Sequence, residues 1–389
     1  MKRNVDNFGL IFRIGRERLA NVVNALNLII KNRMAIPALS CFKVTLSDET
    51  LKIEATDLQN HATANLEVDE VGIRGEDGFA FLLPAYFSGI IGRLNGDDIR
   101  FECEDDSSRI QMIADGFSSA FPSLDVINFP ERFLLSGGAN CFTIQNGREF
   151  ITTISRMASI PDVGDSRPVL RGIKIHAVNR TMKIAAAFRG SALAVSETKS
   201  DSMEDDFNGT LLPVLSANYA ERMFKNAEQI NVALGKNCAV FSTGHFSLIS
   251  RAIVGDFPNY QMIVSTDQPN IVKISRREWD NAISLVKRTA GDDENKKIEV
   301  VFSEKSAEIV AVSSDSRESS IEVGYEFLQG NVEEIEFWIN AEMFCRMISI
   351  FERDEIEIRF RNNISPIALI SGNTVAMVQP LRNKNVTVK

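Results

Sequence analysis

At 389 residues the chain is long enough to form two or three domains, each with a substantial buried core. Hydrophobic residues make up 44% of it and charged residues 24%, which are ordinary values for a globular protein and argue against a disordered chain. The net charge of −9 argues against a general nucleic-acid coat protein. It does not exclude a local basic surface, because the position of the charges decides what a surface attracts.

The cysteines and the N-terminus predict the compartment. The five cysteines are far apart and form no C-x-x-C pair, which indicates reduced and mostly buried thiols in a cytosolic protein. They are Cys41, Cys103, Cys141, Cys238 and Cys345. No apolar segment follows the first residues, and no window approaches the roughly 18 apolar residues of a membrane span. We therefore expect a soluble, cytoplasmic protein with no membrane contact.

An internal repeat organises the chain. Three pairs, Arg16-Glu17, Arg148-Glu149 and Arg277-Glu278, each follow a short strand-like run and open a helical pattern. The pairs are separated by 132 and 129 residues. Behind the first pair the apolar residues follow the i, i+3, i+4, i+7 spacing of a helix with one buried stripe. These residues are Leu19, Val22, Val23, Leu26, Ile29 and Ile30.

A second helix recurs with the same period. Its starts at Pro84, Pro213 and Asn340 are 129 and 127 residues apart, and both residue types suit the opening of a helix. A short alternating strand follows this helix in every copy. These strands are predicted at Asp98–Glu102, Gln229–Ala233 and Glu355–Phe360. The repeat therefore matches in order as well as in length.

Two polar breaks divide the repeats into domains. Residues 136–140 and 265–270 are rich in Gly, Ser, Asn and Pro, as flexible linkers are. We predict domains at 1–135, 141–264 and 271–389. Each is expected to be a compact α+β domain with two helices on one face of a mainly antiparallel sheet. Repeats of about 130 residues are too long for a solenoid.

Motifs for catalysis or metal binding are absent from the sequence. His61, His176 and His245 have no metal-ligand spacing and are expected at surface or half-buried positions. The acidic runs at Asp105-Asp106 and Asp292-Asp293-Glu294 have polar flanks typical of solvated turns. No phosphate-binding loop, dinucleotide fingerprint, nucleophile elbow or zinc-protease motif occurs. We predict a protein that is not an enzyme and that needs no cofactor or metal.

Positive charge is concentrated on the predicted helices. The six helical segments together carry a net charge of +7 and the rest of the chain −16, which add to the overall −9. The segments are 15–33, 84–97, 147–160, 214–226, 276–289 and 341–353. If the helices share one surface, that surface attracts a phosphate backbone while the sheet side repels it. Such contacts carry no sequence information, so the expected binding is non-specific and sensitive to salt.

The stretch Arg251–Tyr260 combines an apolar run with a rigid aromatic turn. Gly255-Asp256 signals a turn, and Pro258 does not fit a continuing central strand. Phe257 and Tyr260 are large rings beside this turn. Taken alone, the stretch fits either the end of a strand that leaves a domain or one wall of an apolar pocket.

Several motifs resemble the bacterial sliding clamp family, the beta subunit of DNA polymerase III. Phe257-Pro258-Asn259-Tyr260 and Pro380-Leu381-Arg382 are the specific matches. Further matches are Arg167–Gly172, Ile36–Leu39, Ala55–Leu58 and the Met377-Val378-Gln379 that precedes Pro380. The likeness extends over essentially the whole chain.

The resemblance implies both architecture and partners. It implies a head-to-tail homodimer whose six domains close a ring, with the helices lining the hole and the sheets outside. A ring of this kind encircles duplex DNA without sequence preference and tethers the replicative polymerase. It also implies that a polymerase and a clamp loader bind through short peptide motifs in a cleft between the second and third domains. The alternative is a clamp-shaped scaffold that gathers proteins without encircling DNA.

By position, the resemblance places an apolar wall around this cleft, as expected of a peptide-binding site; an ordinary interdomain core is the alternative. The matching residues are Leu170, Gly190, Leu193, Pro258, Met262, Ile263, Asn340, Met343, Ile364, Pro366, Met377, Gln379, Pro380 and Leu381. Residues 187–193 depart from the family's Thr-Asp-Gly-His-Arg-Leu run, so we expect a less polar rim partly filled by Phe188. Residues 383–389 extend past the usual end, which indicates a divergent member.

The basic residues of the helices and their flanks are the candidates for DNA contact. Taken alone, each of them fits a solvated surface charge slightly better than a DNA contact, so the prediction concerns the group. They are Arg16, Arg18, Lys31, Arg33, Arg148, Arg156, Arg222, Lys225, Arg276, Arg277, Lys287, Arg288 and Arg346. For the dimer contact we expect the edge strands of the first and third repeats, with Ile110, Met112 and Phe117 as candidates on one side.

Overall fold

The structure, a computed structural model, describes residues 8–30, 36–73, 79–104, 109–135, 139–178, 181–199, 207–288, 296–312, 318–332 and 335–382. The described strands form antiparallel sheets, and a small number of helices pack on them, as the α+β prediction requires. The chain divides into two compact units. Unit 1 contains Met1–Ile151 and Asn218–Ala252, and unit 2 contains Thr152–Ala217 and Ile253–Lys389.

Unit 1 is built on two sheets. Its strands are β1 (Phe8–Gly15), β2 (Cys41–Ser47), β3 (Thr50–Thr56), β4 (Asn60–Glu67), β5 (Glu70–Ile73), β6 (Phe79–Pro84), β7 (Asp98–Glu104), β8 (Arg109–Ala114), β9 (Phe117–Pro122) and β10 (Asn140–Ile144). Later in the chain β15 (Ile230–Leu234), β16 (Cys238–Ser242) and β17 (Phe246–Arg251) return to it. One sheet has the order β5-β1-β7-β8-β9, and the other has the order β10-β15-β16-β17-β4-β3-β2-β6.

Unit 2 also contains two sheets. Its strands are β11 (Gly172–Val178), β12 (Thr181–Phe188), β13 (Ala192–Lys199), β14 (Phe207–Pro213), β18 (Asn270–Ser275), β19 (Lys297–Phe302), β20 (Ser306–Val312), β21 (Glu318–Gly324), β22 (Glu326–Gln329), β23 (Glu336–Asn340), β24 (Glu355–Phe360), β25 (Ile367–Ser371) and β26 (Thr374–Val378). The larger sheet has the order β14-β11-β12-β13-β26-β25-β24-β18-β22, and the smaller has the order β21-β20-β19-β23.

The helices begin within one residue of the predicted starts, except for the second helix of the first repeat, which begins at Ser88 and not at Pro84. They are α1 (Arg16–Asn27), α2 (Ser88–Ile91), α3 (Gly147–Ala158), α4 (Val214–Phe224), α5 (Arg276–Val286) and α6 (Ala341–Ser349). The first helix of each repeat is tied in the same way: a backbone N–H at its start donates to a carbonyl just before the strand that follows the second helix. The three bonds are Arg16 to Asp97 (2.7 Å), Gly147 to Glu228 (2.7 Å) and Arg276 to Asp354 (2.6 Å). The repeat is therefore structural as well as sequential.

The second helix of the first repeat is shorter than predicted. The sequence pattern indicates a helix over 84–97, but the structure has a 3₁₀ turn at Ala85–Phe87 followed by the single α-helical turn of α2. Gly89, Gly92 and Gly96 lie in this stretch, and glycine lowers helix propensity by about 1 kcal/mol per residue relative to alanine. The apolar spacing is therefore satisfied by one turn instead of a full helix.

Aromatic side chains fill the core beneath α5 and α6. Trp279 of α5 is buried, and its ring stacks on Phe302 with a centroid distance of 6.1 Å. Phe302 also contacts Phe337 and Phe360 at 6.0 and 5.4 Å. Phe344 of α6 reaches Trp279 from the other side at 6.4 Å. The apolar stripes of both helices thus converge on one ring cluster.

Strand pairing continues across the predicted domain boundaries. In unit 1, β17 pairs with β4, which joins the first repeat to the end of the second. In unit 2, β13 pairs with β26, with Leu193 opposite Met377, which joins the second repeat to the third. The division into three domains stays a prediction, since the two compact units cut through the second repeat.

Two simpler observations concern the thiols and the membrane. Among the described cysteines, Cys41, Cys103 and Cys238 are buried, Cys345 is partly exposed and Cys141 is exposed, so most thiols are shielded as predicted. Within the described part of the chain, none of the helices has the length and apolar character needed to span a bilayer.

Candidate functional sites

Four residues of the predicted cleft form an apolar floor within unit 2. Leu170, Leu193, Met343 and Met377 are buried. Leu193 and Met377 face each other across the β13–β26 pair, and the Ser191 hydroxyl donates to the Met343 sulfur at 3.3 Å. The structure therefore brings these side chains, which are far apart in sequence, onto one surface.

Three apolar side chains of the predicted cleft are strongly exposed. Met262 is 86% exposed, Ile364 65% and Ile263 47%. Pro258 is also exposed, while the neighbouring Phe257 and Tyr260 are buried. Large exposed apolar groups beside an apolar floor are typical of a surface that binds a partner, because a buried core would cover them.

Backbone and amide contacts hold the remaining cleft residues in place. The Gln379 N–H donates to the Ser191 carbonyl, and its Nε2 donates to the Ile364 carbonyl, both at 2.9 Å. The Leu381 N–H donates to the Trp338 carbonyl at 2.6 Å. The C-terminal segment is thus bonded to both the second and the third repeat.

Asn340, Pro366, Pro380 and Gly190 have structural positions of their own. The Asn340 side chain caps α6 by accepting from the Met343 N–H at 2.9 Å. The Pro366 carbonyl accepts from Gln268, Pro380 is buried, and Gly190 has a positive φ of 74° beside Arg167. These four residues therefore have local structural roles, whereas Met262, Ile263 and Ile364 are exposed.

The rim of the cleft is rich in arginine, contrary to the expectation of a less polar rim. Arg167 and Arg189 are 53% and 61% exposed at their side chains and pair with Asp165 and Asp162 at 3.0 and 2.6 Å. The Gly164 backbone N–H and the Arg189 guanidinium lower the pKa of the Asp162 carboxyl. Each acid therefore fixes an arginine at the surface.

Phe188, which was expected to fill part of the cleft, packs against two arginine side chains. It is buried, and the guanidinium groups of Arg189 and Arg346 lie over its ring at 5.4 and 5.0 Å. Stacking of this kind is favourable because the ring face is negative. The sequence analysis did not predict that Arg167 and Arg189 are held at the surface by acidic partners. The available signals were the dipeptides Arg167-Pro168 and Phe188-Arg189.

Several predicted DNA-contact residues are engaged at the starts of the first helices. Arg18 of α1 forms a bidentate pair with Asp69 at 2.8 and 2.9 Å. The Arg16 Nε donates to the Gly96 carbonyl at 2.8 Å, and the Arg277 Nε to Asp354 at 3.2 Å. Arg276 is half-buried. These contacts orient the side chains, and the carboxylates of Asp69 and Asp354 offset the charges of Arg18 and Arg277.

Two further candidates are held inside unit 2. Arg156 is partly buried and pairs with Glu352 at 3.4 Å. Arg346 is partly buried, stacks on Phe188 and donates to the Ser159 carbonyl at 3.1 Å. Both guanidinium groups therefore contribute to packing between the end of α3 and α6.

The other candidates on the helices lie nearer to solvent. Arg148, Arg222, Lys225 and Arg288 are exposed and Lys287 is half-buried. Arg222 lies 3.6 Å from its neighbour Glu221. Lys31 and Arg33 lie outside the described residues.

Two of the three dimer candidates are placed wrongly by the sequence reasoning. Ile110 and Met112 lie on β8, an inner strand that pairs with both β7 and β9, and both side chains are fully buried in unit 1. They stabilise the sheet from inside and have no surface to offer to a second copy. Phe117 is different: it is 36% exposed and begins β9, the edge strand of that sheet.

The histidines are more buried than expected. His61 and His176 are both enclosed, and only His245 is exposed. His61 Nε2 lies 3.1 Å from Glu54, and His176 Nε2 lies 2.7 Å from the Tyr260 hydroxyl. Across the described ranges, no three acidic, histidine or cysteine side chains are grouped as metal ligands would be.

Comparison with known families gives two matches. A family model described as the DNA polymerase III beta subunit, N-terminal domain, matches residues 10–132. A second model, described as the central domain of the same subunit, matches residues 145–259. Together the two models match more than half of the chain.

Curated proteins and solved structures agree with these models. A beta sliding clamp of Caulobacter vibrioides is 21% identical over 364 residues, which are 92% of this chain and 95% of that protein. A beta sliding clamp of Bacillus subtilis is 20% identical over 376 residues, covering 95% and 97%. The DnaN sliding clamp of Pseudomonas aeruginosa bound to griselimycin has a TM-score of 0.88 at 19% identity, covering 96% of this chain and all of that one. The beta subunit of Thermotoga maritima has a TM-score of 0.84 at 17% identity, with the same coverage.

Proposed function

This chain belongs to the family of the DNA polymerase III beta subunit, and from that membership we propose that it is a DNA sliding clamp. The observation that carries the proposal is the extent of the likeness to beta sliding clamps, which runs over 92–95% of the chain. A clamp is a binding protein rather than an enzyme, and its place of action is the cytoplasm, where a bacterial polymerase meets its template. The alternative of a scaffold without DNA function is not favoured, since the likeness includes the helix-bearing part of every repeat.

The proposed clamp closes by pairing of two copies, head to tail. The edges that we assign to this contact are β9 in the first repeat and β21 in the third, each of which lies at one end of its sheet. Edge strands carry unpaired N–H and C=O groups, so an edge of one copy can extend the sheet of the next. Closure with two-fold symmetry leaves no open end and therefore does not lead to filaments.

Within the ring, the basic residues of the helices contact the phosphate backbone. We retain Arg148, Arg222, Lys225 and Arg288 as the main contacts, because these side chains are exposed. Arg346 and Arg156 are set aside because their guanidinium groups are engaged in packing. Contacts of this type are independent of base sequence and weaken with salt, which permits sliding along the duplex.

The cleft of unit 2 binds short peptide segments of the polymerase and of the clamp loader. Its buried floor and its exposed apolar rim supply the contact area, and the arginines of the rim supply polar contacts. A partner held there stays at high local concentration near the primer end while the ring slides.

Retention on DNA of different topology tests the proposal. The protein is loaded by its clamp loader on a nicked circular plasmid, freed from unbound protein by gel filtration and then exposed to a restriction enzyme. A ring is retained on the circle and lost from the linear product. Equal retention on both DNAs would show that topology plays no part.

Charge reversal separates the clamp from a scaffold. Lys225→Glu combined with Arg288→Glu is expected to weaken loader-independent binding to duplex DNA at least tenfold at about 0.15 M salt, and to lower the salt slope by up to roughly 4, because two phosphate contacts are lost from each of the two copies in the ring. The matched control is Lys236→Glu with Lys305→Glu, which makes the same change at exposed residues outside the helices. A scaffold predicts the same DNA affinity for both pairs.

A further inference from the structure

A second cavity lies in unit 2 beside the turn at Phe257–Tyr260. Its volume is about 440 Å³. The lining combines polar and aromatic side chains from β11, the start of β14 and the turn. The lining residues that matter here are Lys174, His176, Phe207, Asn208, Pro258 and Tyr260.

The shape of this cavity follows from the local strand geometry. Along β11, Ile173, Ile175 and Ala177 are buried in the core, so the alternating Lys174 and His176 face the other side. Gly209 of β14 has a φ of 108°, and a Cβ added there would lie 2.7 Å from both the His176 Cβ and the Ile175 carbonyl oxygen. Only glycine permits this close approach, which brings Phe207 and Asn208 to the edge of the cavity.

The charge in the cavity comes from Lys174. Its Nζ lies 3.4 Å from the neutral Asn208 amide oxygen, and among the described residues no carboxylate is in ion-pair contact with it. Burial lowers the pKa of Lys174, and the more distant Asp256 counters this in part. A partly desolvated ammonium group with a neutral neighbour favours an anion as its next contact.

The buried His176 contributes no charge at neutral pH. Burial, together with the nearby Lys174 and Lys183, lowers the pKa of His176 to about 4. Its Nε2 is hydrogen-bonded to the Tyr260 hydroxyl, while its Nδ1 has no hydrogen-bond partner among the described residues. The cavity thus offers one cation surrounded by neutral polar groups.

The cavity shares a wall with the proposed cleft. Phe257 and Tyr260 line the cavity and also pack in one apolar cluster with Leu170 and Leu193 of the cleft floor. Pro258 is exposed, lines the cavity and belongs to the predicted cleft wall. A peptide that leaves the cleft over Pro258 therefore passes the mouth of the cavity.

We propose that this cavity is a specificity site for partner peptides: it takes the carboxylate of an Asp or Glu side chain that flanks the apolar segment bound in the cleft. The inference rests on the proposed function, because it assumes that a peptide lies in the cleft. A carboxylate carries one negative charge and matches the single ammonium of Lys174. A phosphorylated side chain would bring a charge of nearly −2 and leave about half of it unpaired.

Fluorescence anisotropy with the full-length protein tests the assignment. The probes are labelled ten-residue peptides with an apolar segment of Leu and Phe, flanked by Glu or by Gln at each of the adjoining positions in turn. At one position the Glu peptide is expected to bind about tenfold more tightly than the Gln peptide, as for a hydrogen bond to a charged group.

Three variants locate the effect. Lys174→Gln should reduce the Glu-to-Gln ratio to about 1 and leave the affinity for the Gln peptide unchanged. Asn208→Asp, an exposed change that places a carboxylate beside Lys174, should have the same effect. Lys183→Gln is the control, because Lys183 pairs with Glu197 at 2.7 Å and does not line the cavity.

The outcomes separate this inference from the proposed function. Equal binding of Glu and Gln peptides to the native protein, or a ratio that survives Lys174→Gln, overturns the inference and leaves the cleft intact. Ile364→Asp, a change at an exposed cleft residue, should weaken all peptides. If Ile364→Asp leaves peptide affinity unchanged while the Glu preference still depends on Lys174, the inference about the cavity is supported and the assignment of the cleft is wrong. If none of the peptides binds, both fail.

Discussion

At the scale of single residues, Glu54 shows how this fold keeps a charge in its interior. Its carboxylate is almost completely buried and lies 3.1 Å from His61 Nε2 and 2.9 Å from Lys52 Nζ. Burial by itself raises the pKa of Glu54, but the contacts with His61 and Lys52 outweigh it and hold that pKa at about 2. The ionised form is therefore the one that stabilises the β3–β4 pair.

Replacing this carboxylate should loosen β3 and β4. We expect Glu54→Gln to lower their local opening free energy by about 2–3 kcal/mol at pH 7, because the partners lose a buried charge. Hydrogen exchange of the β3 and β4 amides should then be roughly 30- to 150-fold faster. Glu49→Gln, at an exposed acid in the preceding turn, is the matched control.

The pH dependence gives an independent check of this prediction. Since the folded pKa of Glu54 lies below its unfolded value, the stabilisation is complete above about pH 5 and is lost as the pH falls toward 2. The difference between the native protein and Glu54→Gln should therefore shrink at low pH. A difference of the same size at pH 7 and pH 3 would contradict the assignment.

Burial of the histidines could not be predicted from the sequence. His61 and His176 occupy strand positions that a period of two assigns to the polar face. In the structure this face is covered too, by Phe129 over His61 and by Tyr260 over His176. The covering residues are 68 and 84 positions away in the chain, so no local pattern reports them.

At the scale of elements, α6 depends on a single side-chain cap. Asn340 ends β23 and accepts from the Met343 N–H at 2.9 Å, which satisfies one of the free N–H groups at the start of the helix. The same residue belongs to the proposed cleft, so a substitution there affects both helix stability and peptide binding.

Two substitutions at Asn340 should separate these effects. Asn340→Ala is expected to cost about 1 kcal/mol of α6 stability and to speed exchange of its first amides roughly fivefold. Asn340→Ser retains a capping oxygen and should preserve exchange. If both variants bind partner peptide poorly, Asn340 contacts the peptide directly. Equal exchange rates in Ala and Ser variants would show that the cap does not stabilise the helix.

Helix starts were predictable at this scale, but helix lengths were not always so. The apolar stripe and the residues at the start place the beginnings of α1, α5 and α6 correctly. The same stripe overestimates α2, because one 3₁₀ turn and one α-helical turn bury Phe87 and Ile91 as well as a longer helix would. The apolar stripe therefore predicts which face of a helix is buried. How long the helix runs depends also on its glycine content.

At the scale of the whole molecule, the proposed ring closure requires free strand edges. Phe117 opens β9 and is the exposed member of the predicted interface. Phe117→Asp should weaken dimerisation at least tenfold in sedimentation velocity, because a desolvated charge would face the partner strand. Ile127→Asp, at an apolar residue that is even more exposed but lies outside the strands, is the control. Equal association of both variants would exclude β9 from the contact.

The joining of repeats by shared sheets could not be read from the sequence. The repeat predicts three similar units, and it correctly places the starts of α1, α5 and α6 and the strand that follows the second helix in each copy. The pairs β17–β4 and β13–β26 link strands that are about 180 residues apart. Apolar and polar residues alternate in these strands as they do in any half-buried strand. The pattern therefore predicts that a strand forms but does not predict which strand pairs with it.

The two strands of the β13–β26 pair are made at different times during synthesis of the chain. The Ser196 and Thr374 hydroxyls, 3.0 Å apart, are separated by 178 positions in the chain. At about 5–20 residues per second a ribosome takes roughly 10–35 s to reach Thr374 after it has made Ser196. During that interval β13 of the nascent chain is paired with β12 on one side and is an unpaired edge on the side that β26 later covers, and such an edge can pair with other chains. Unit 2 therefore cannot complete its larger sheet until β26 has been made.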